Sequence, residues 1–211
     1  LYIFMYNYYM SAQTIIYIGR SGSGKGTQIS LLQAFLKQQN PAIPSLQIET
    51  GQYFRTFIEE KSITAEFSKD IYLQGKRQPD FLAISMWGYV LCKDYTGVEH
   101  LMFDGAPRSP AEAHVVEDAL SFYNRFDDKA FVKPKVIYLD VSSDWSMTRM
   151  HERARIDDKT FEQLQIRTKW FETEVMGAID FFKNNPKFDF IHIQGEKTIE
   201  EVHADIVSHF A

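Results

Sequence analysis

A glycine-rich turn near the start of the chain limits the possible folds more than any other segment. It reads Gly19-Arg20-Ser21-Gly22-Ser23-Gly24-Lys25-Gly26-Thr27, and it lies between a short β-branched run and a helical pattern. Glycines here allow backbone N–H groups to turn inward around phosphate oxygens, and the helix N-terminus adds a positive partial charge. Lys25 is placed to reach the β- and γ-phosphates. The segment predicts a nucleotide phosphate cradle; the alternative is a glycine turn without a ligand.

The cradle departs from the general P-loop pattern at one position. Gly26 follows Lys25, so the hydroxyl residue Thr27 comes one place late. A cradle alone indicates nucleotide binding and does not specify a reaction. A GTPase would also need a guanine-reading Asn-Lys-x-Asp segment, and the sequence contains none.

The rest of the chain alternates short apolar runs with helical patterns. Strands are predicted at residues 14–18, 46–48, 101–103, 135–139 and 188–193. Helices are predicted at residues 24–39, 51–60, 64–73, 81–93, 110–126, 143–153, 161–182 and 199–210, with a loop at 75–79. This alternation is typical of a three-layer α/β fold, in which helices cover both faces of a parallel five-stranded sheet. Ligands bind outside the carboxyl ends of such strands.

Composition narrows the functional classes. A length of 211 residues fits a single domain with small insertions, and a net charge of -5 argues against nucleic acid as the main partner. Cys92 is the only cysteine, so we expect no internal disulfide and a reducing, cytoplasmic location. The segment Leu1–Met10 lacks a basic region and a clear cleavage site and is too short to span a bilayer. We expect residues 1–11 to be a tail, with Met10 as a possible start, and no membrane association.

Three further segments carry charged or hydroxyl side chains at the expected ligand edge. Thr50-Gly51 and Arg55 follow the second strand, and Asp104-Gly105-Ala106-Pro107-Arg108 follows the third. A basic and acidic cluster ends the helix after the fourth strand: Arg149, Arg153, Arg155, Asp157 and Asp158. Separately, each could be a helix cap, a turn carboxylate or a solvated charged face. Together they supply arginines for a second anion, a carboxylate near the cradle and a mobile basic flap.

These motifs, in this order, resemble the adenylate kinase family of nucleoside-monophosphate kinases from about residue 14 to residue 210. The matching segments are GSGKGTQ (22–28), TGQYFR (50–55), GKRQPD (75–80), DGAPR (104–108) and RIDD (155–158), with Arg167 after a one-residue insertion. The resemblance implies a P-loop kinase that moves the γ-phosphoryl group of Mg-ATP onto a nucleoside monophosphate. It also implies a monomer and a cis Ala106–Pro107 bond. The domain would comprise a core (12–49, 81–148, 160–211), a helical acceptor-binding insertion (50–80) and a minimal lid (149–159).

The resemblance also implies roles for individual residues. Lys25, Arg108, Arg155 and Arg167 would act at the transferred phosphoryl group, and Asp104 would hold Mg²⁺ through water. ATP would lie against Gly22, Ser23, Gly24, Lys25, Gly26, Thr27, Arg149, Arg153 and Lys197. The acceptor would contact Thr50, Gly51, Arg55, Gln78, Gly105, Arg108 and Glu112. Such a set is physically adequate, because phosphoryl transfer depends on positioning and charge stabilisation.

The departures from the family pattern concern the acceptor side and the lid. Ala106 replaces the usual Phe, Gln52 the usual Asp, and Glu112 the usual base-reading Gln. Only Ala154 separates Arg153 from Arg155, and the lid has no cysteine cluster, so no lid zinc is expected. Two alternatives stay open: a P-loop kinase for another small acceptor, and a nucleotide-binding module that has lost activity.

Glu112 determines which base we expect the acceptor to carry. An amide can donate to adenine N1 and accept from N6, whereas an ionised carboxylate only accepts and suits guanine or cytosine better. Ser109-Pro110-Ala111-Glu112 also forms a capping-box pattern, in which Glu112 would be only a helix cap. Thr50 still matches the adenine-type pattern. We therefore expect AMP as the acceptor with weakened base discrimination, and GMP, CMP or UMP as alternatives.

Overall fold

The computed structural model describes residues 12–127, 132–153 and 160–210. The strands are β1 (Thr14–Gly19), β2 (Ser45–Glu49), β3 (His100–Asp104), β4 (Lys135–Asp140) and β5 (Asp189–Gln194). The helices are α1 (Lys25–Gln39), α2 (Thr50–Phe57), α3 (Ile63–Leu73), α4 (Asp80–Asp94), α5 (Pro110–Phe122), α6 (Ser143–Arg153), α7 (Phe161–Trp170), α8 (Met176–Lys183) and α9 (Ile199–Val207). A π turn, Phe171–Val175, joins α7 to α8, and a 3₁₀ turn, Ser208–Phe210, follows α9.

The five strands form one parallel sheet in the order β2-β3-β1-β4-β5. β1 occupies the centre, where Ile16 pairs with Phe103 on one side and with Val136 on the other. β2 lies at one edge, and its last residue, Glu49, pairs with Asp104 at the end of β3. The carboxyl ends of β1, β2 and β3 therefore meet along one edge, next to the glycine-rich turn. The parallel α/β architecture predicted from the alternating pattern is confirmed.

Two hydrophobic cores cover the two faces of the sheet. Ile16 and Ile18 of β1 face a core shared with α4, α5 and α8. Their neighbours Ile15 and Tyr17 face the opposite core, which α1 and α9 close. Successive residues of a strand point to opposite faces, so a run buried on both sides must be apolar throughout. This arrangement fixes β1 rigidly and sets the position of the turn that follows it.

Three predicted helices end earlier than expected or change geometry. The helix predicted over 110–126 ends at Phe122, because Asn124 adopts a left-handed conformation (φ 55). The N–H groups of Asn124 and Arg125 then bond to the carbonyls of Ser121 and Leu120, which is a Schellman C-cap. The helix predicted over 51–60 ends at residue 57, and the one predicted over 161–182 contains the π turn. The 3.6-residue hydrophobic pattern does not distinguish a π turn from the α-helix around it.

None of the helices in the described part of the chain is long and apolar enough to cross a membrane.

Candidate active site

The glycine-rich turn leaves β1 in a conformation that side chains would block. Gly22 has a φ of 78°, and a Cβ atom there would lie 2.9 Å from the Ser146 carbonyl oxygen. Gly19 packs against β4, where a Cβ atom would lie 2.5 Å from the Leu139 carbonyl oxygen. The Ser146 hydroxyl donates to the carbonyl oxygen of Ser21 (2.7 Å). The turn is therefore clamped between the end of β4 and helix α6.

Lys25 opens helix α1 and folds back over the turn. Its Nζ donates to the carbonyl oxygens of Gly19 (2.9 Å) and Arg20 (2.7 Å). Burial lowers its pKa to about 7; Asp104 raises the pKa, and Arg108, Arg153 and Arg167 lower it further. Removal from water and nearby cations both disfavour the ammonium form. A polyphosphate in the cradle would restore the positive charge, so the lysine is prepared for an anionic ligand.

Asp104 brings a carboxylate to the start of α1. Its Oδ2 lies 3.9 Å from the position that a Cβ atom on Gly26 would take, and it accepts from Gln47 Nε2 at 3.4 Å. Burial raises its pKa, Lys25 opposes this effect, and Glu49 adds to it. A bound cation would favour the ionised form. Thr27, an exposed residue, follows Gly26 and lines the same cavity as Asp104, and oxygen ligands of these two types are the ones that a hard cation such as Mg²⁺ prefers.

Helix α6 places aromatic and basic side chains beside the cradle. The guanidinium carbon of Arg149 lies 5.0 Å from the centre of the Trp145 ring, and a Cβ atom on Gly22 would lie 3.1 Å from Arg149 Cβ. Arg167 of α7 donates from Nη2 to Ser21 Oγ (2.9 Å). Arg153 at the end of α6 also faces this space. The flat Trp145–Arg149 pair could stack with a nucleobase, next to cations for its phosphates.

Two more arginines converge from the acceptor side. A Cβ atom on Gly51 would lie 3.3 Å from Arg55 Nη1 and 4.0 Å from Arg108 Nη2. Arg108 folds over Gly105, whose carbonyl oxygen accepts from Nε (2.5 Å). Gly105 has a φ of 78°, and the Arg108 guanidinium occupies the place of its missing side chain. Two planar cations at one point suit bidentate binding of a phosphate.

One cavity of about 630 Å³ joins these groups. Its predicted donor-side residues are Gly22, Ser23, Gly24, Lys25, Gly26, Thr27, Arg149, Arg153, Arg167 and Lys197. Its predicted acceptor-side and metal residues are Gly51, Arg55, Gly105, Arg108 and Asp104. Both predicted sites therefore open into one space.

Three predicted acceptor residues do not line this cavity. Thr50, Gln78 and Glu112 are all buried, and Gln78 lines a separate cavity of about 340 Å³ with Arg77 and Trp170. Each of the three carries a buried oxygen without a hydrogen-bond partner among the described residues, namely Thr50 Oγ1, Gln78 Oε1 and Glu112 Oε2. Buried polar atoms are normally paired, so each of these three oxygens could accept a further hydrogen bond.

The capping box predicted at Ser109 is only half formed. Ser109 Oγ accepts from the Glu112 N–H (3.1 Å), as predicted. The Glu112 side chain does not return the bond, because Oε1 pairs instead with Arg77 Nη1 at 3.5 Å. Burial raises the pKa of Glu112 to about 7, although Arg108 and Arg77 act in the opposite direction. Glu112 is therefore not simply a helix cap.

Four residues of the site were not found by sequence reasoning. Glu49 accepts from Arg55 Nη2 (2.8 Å), and Arg77 joins Asp80, Glu112 and Glu174. Trp145 pairs with Arg149, and Trp170 donates from its indole to the Gly75 carbonyl oxygen (3.1 Å). Glu49 had a sequence signal, since it is a polar residue at the end of a strand, and Arg77 lies within the quoted GKRQPD segment. The contacts of Arg77 with Glu112 and Glu174, and of Trp170 with Gly75, join distant segments.

Two further predictions concern the lid and the peptide bond before Pro107. Arg155 and most of the proposed lid, including Asp157 and Asp158, lie outside the described residues. The Ala106–Pro107 peptide bond is cis, as the resemblance predicted.

A parallel α/β sheet, with a glycine cradle on its central strand and arginines on both sides of one cavity, defines a P-loop phosphotransferase. No family model matches the sequence. The adenylate kinase of Thermosynechococcus vestitus is 30% identical over 194 residues, covering 91% of this chain and 94% of that protein. That of Bacteroides thetaiotaomicron is 30% identical over 198 residues, covering 91% and 95%, and that of Phocaeicola vulgatus is 29% identical over 200 residues, covering 92% and 96%. The chain belongs to the adenylate kinase family of nucleoside-monophosphate kinases.

Proposed function

We propose that the protein transfers the γ-phosphoryl group of Mg-ATP to AMP and so forms two molecules of ADP. The observation that carries the proposal is the single 630 Å³ cavity, whose wall includes both the cradle and the Arg55–Arg108 pair. A donor and an acceptor held in one space can bring the attacking acceptor oxygen into line with the γ-phosphorus of ATP and its leaving oxygen. That geometry is what in-line phosphoryl transfer requires.

The donor side would hold ATP largely through backbone groups. N–H groups of the turn and the N-terminus of α1 would bind the phosphates. Lys25 would leave the carbonyls of Gly19 and Arg20 and contact the β- and γ-oxygens. Its positive charge would stabilise the transition state more than the ground state, because negative charge spreads over the transferred group during the reaction. The adenine base would lie between Arg149 and the loop of Gly195 and Lys197, with Trp145 beside it.

The acceptor side would hold the monophosphate by its charge. Arg55 and Arg108 would each grip its phosphate, and their planar guanidinium groups would fix the direction of the attacking oxygen. Arg153, Arg155 and Arg167 would close around the group in transfer. No nucleophilic side chain is needed, because the acceptor phosphate itself attacks.

Magnesium would bind together with ATP, the phosphoryl donor. The Asp104 carboxylate would hold it, because Oδ2 lies 3.9 Å from the position that a Cβ atom on Gly26, at the start of α1, would take. Mg²⁺ usually keeps several of its waters, so Asp104 would hold it through a water molecule. When bound, the ion would supply positive charge against the phosphate oxygens of ATP. Asp104, Gln47 and Thr27 would fix its place, and Glu49 lies on the neighbouring strand at the register of Asp104.

The division of the domain is part of the proposal. Helices α2 and α3 would form the acceptor-binding insertion (50–80), and residues 149–159 would form a minimal lid. The Gln163 side chain donates to the Leu73 carbonyl oxygen (2.6 Å), and Trp170 donates to that of Gly75. The end of α3 therefore contacts α7, the helix that carries Arg167. Movement of the insertion would then shift α7 and change the position of Arg167.

AMP is supported as the acceptor by Thr50, which matches the adenine-type pattern. Glu112 weakens that assignment, because an ionised carboxylate suits guanine better than adenine. The test is a coupled assay of ADP formation with ATP and each of AMP, GMP, CMP, UMP and dTMP. The proposal predicts ATP consumption that depends on the monophosphate and is fastest with AMP. Consumption independent of every monophosphate, or none at all, would overturn it and favour another small acceptor or a binding module.

A further inference from the structure

Glu49 places a second carboxylate in the main cavity. It is the last residue of β2, its side chain is 38% exposed, and it lines the 630 Å³ space together with Asp104. The phosphate of an acceptor nucleotide is already an anion near neutral pH, so it can attack without losing a proton. A carboxylate beside that phosphate would only repel it. Transfer to a monophosphate therefore does not explain the charge of Glu49.

Glu49 lies between the glycine cradle and the acceptor arginines. It pairs in register with Asp104, so the two backbones are about 4.8 Å apart. Asp104 Oδ2 in turn lies 3.9 Å from the position that a Cβ atom on Gly26 of the cradle would take. On its other side, Glu49 Oε1 accepts from Arg55 Nη2 at 2.8 Å. The Glu49 carboxylate is therefore at the boundary of the donor and acceptor halves, where a group that attacks the γ-phosphate would lie.

Arg55 orients this carboxylate and leaves one of its oxygens available. Oε1 of Glu49 takes the bond from Nη2, whereas Oε2 has no hydrogen-bond partner within the part of the chain that the structure describes. Nη1 of Arg55 lies on the side of Gly51 and Arg108, where the acceptor phosphate is expected. Gln52 Oε1 also accepts from Nε and Nη2 of Arg55, at 3.2 Å and 2.7 Å. A neutral side chain thus already holds Arg55, and holding it does not require a charge at position 49.

A carboxylate at this boundary can take a proton from an attacking water molecule. Water is a weak nucleophile while it keeps both protons, and a positioned base that removes one typically accelerates a reaction by about 10²–10⁴-fold. The Glu49 side chain is partly exposed, so water reaches it whenever the acceptor half is empty. Hydrolysis, unlike transfer to a phosphate, is therefore a reaction that the charge of Glu49 would assist.

We propose that Glu49 gives the protein a second activity, the hydrolysis of ATP when no monophosphate is bound. The water oxygen bonds to the γ-phosphorus while Glu49 takes one of its protons. The bond from that phosphorus to the β–γ bridging oxygen breaks, and ADP leaves with the electron pair. Glu49 then returns the proton to solvent, and the products are ADP and inorganic phosphate. The inference rests on the proposed function only in placing ATP on the cradle.

A bound monophosphate suppresses this hydrolysis. Its phosphate occupies the point where Arg55 and Arg108 converge, next to Glu49, and excludes the water molecule from the boundary. Hydrolysis is therefore the slower reaction of the two and proceeds only while the acceptor half is empty.

The test compares the release of inorganic phosphate from ATP alone with the formation of ADP from ATP and AMP. In Glu49→Gln, the amide still accepts from Arg55 but cannot take a proton. Hydrolysis should fall by about 10²-fold or more, and transfer should fall far less, so the ratio of hydrolysis to transfer falls. Glu49→Asp keeps a carboxylate and should retain part of the hydrolysis. Glu59→Gln is the matched control, because Glu59 pairs with Lys69 and lines none of the cavities described above, and both rates should be unchanged.

Two further measurements separate a proton acceptor from a residue that only holds Arg55. Wild-type hydrolysis should be slower in D₂O, because a proton moves while the new bond forms, and Glu49→Gln should lose this isotope effect. Addition of AMP to the wild-type protein should lower phosphate release while ADP formation rises. An isotope effect of equal size in both proteins, or phosphate release that AMP does not lower, contradicts the proposal.

The failure of this inference is distinguishable from the failure of the proposed function. Equal losses of hydrolysis and transfer in Glu49→Gln would show that Glu49 only holds Arg55. Phosphate release that is no faster in the wild-type protein than in Glu49→Gln would show that Glu49 is not the base. Both results overturn the inference and leave the proposed function intact. Hydrolysis that depends on Glu49, without transfer to any monophosphate, supports the inference and overturns the proposed function.

Discussion

The donor and acceptor halves of the cavity are built by different physical means. On the donor side, glycines with positive φ at 22 and 24 shape the backbone, and Gly22 lies against α6 at distances no side chain allows. On the acceptor side, ion pairs hold the arginine side chains: Arg55 pairs with Glu49, and Arg77 pairs with nearby Asp80 and with the distant Glu112 and Glu174. A glycine turn leaves a continuous motif in the sequence. A network of ion pairs does not.

This difference explains where the family pattern is kept and where it changes. Backbone N–H groups bind any polyphosphate, so the donor half leaves little room for variation. Side chains determine which acceptor is held, so Gln52, Ala106 and Glu112 can differ without disturbing the fold. Two of these residues have a partner in the structure: Gln52 Oε1 accepts from Arg55 Nη2 at 2.7 Å, and Glu112 pairs with Arg77. In the proposed assignment, the donor half would define the reaction and the acceptor half would define the substrate.

The largest expected effect lies in the donor half, at Lys25. Lys25→Met removes a positive charge from the transferred group, which costs about 3–4 kcal/mol of transition-state stabilisation. We expect kcat to fall by about 10²–10³-fold, measured under saturating ATP and acceptor. Circular dichroism and thermal unfolding serve as the control for an intact fold. Near-normal turnover in a folded variant would show that Lys25 does not stabilise the transition state.

The acceptor half should respond separately. Arg55→Met and Arg108→Met each remove charged hydrogen bonds to the acceptor phosphate, worth about 1.5–3 kcal/mol. We expect acceptor KM to rise, or kcat to fall, by about 10- to 100-fold, while the Kd of ATP alone changes little. Arg149→Met is the matched control on the donor side and should raise the KM for ATP only. A large loss of ATP affinity in the Arg55 or Arg108 variant would show that this arginine binds ATP and not the acceptor.

ATP binding should depend on pH through Lys25. Its pKa is lowered to about 7, mainly by burial, so above that pH the free protein carries a neutral amine. ATP favours the ammonium form, and its binding must then take up a proton. ATP affinity should fall as pH rises from 7.5 to 9, by at most about tenfold per pH unit. Calorimetric titration of wild type and Lys25→Met measures this; an equal slope in the two proteins rules out Lys25 as the source.

The smallest effects compare one glycine from each half. Gly22→Ala places a Cβ atom 2.9 Å from the Ser146 carbonyl oxygen at a positive φ, and should destabilise the fold by about 1–3 kcal/mol. Gly51→Ala lies in helix α2, where the nearest atoms to the new Cβ are the ends of two flexible side chains, Arg55 Nη1 at 3.3 Å and Arg108 Nη2 at 4.0 Å. We expect its stability to be unchanged or raised by up to about 1 kcal/mol, with a higher acceptor KM. Urea unfolding of both variants tests the contrast, which disappears if both lose stability equally.

Most of the fold could be predicted from local patterns in the sequence. Short apolar runs predicted all five strands to within one or two residues. The signal was clearest for β1, which is buried on both faces and therefore almost entirely apolar. Helix ends were harder: the stop at Phe122 depends on one left-handed asparagine, and the π turn at Phe171–Val175 has no periodic signal. These features arise from backbone conformations that several residue types can adopt.

The sequence predicted the residues of the candidate site that belong to short motifs, but not the surroundings of Glu112. The cradle and the Arg55–Arg108 pair belong to short motifs at strand ends, and the parallel sheet brings those ends together. The partner of Glu112 was missed because Arg77 lies 35 positions away, and the capping pattern indicated a different role for the carboxylate. Burial and the unpaired Oε2 could be seen only in three dimensions.

The central claim is that one cavity joins an ATP half to a monophosphate half. Its most direct test follows AMP labelled in its phosphate, incubated with the protein, Mg²⁺ and unlabelled ATP. The account predicts that the label appears in ADP only when ATP is present, with two ADP formed for each ATP consumed. ADP and inorganic phosphate in equal amounts, with the label still in AMP, would contradict it.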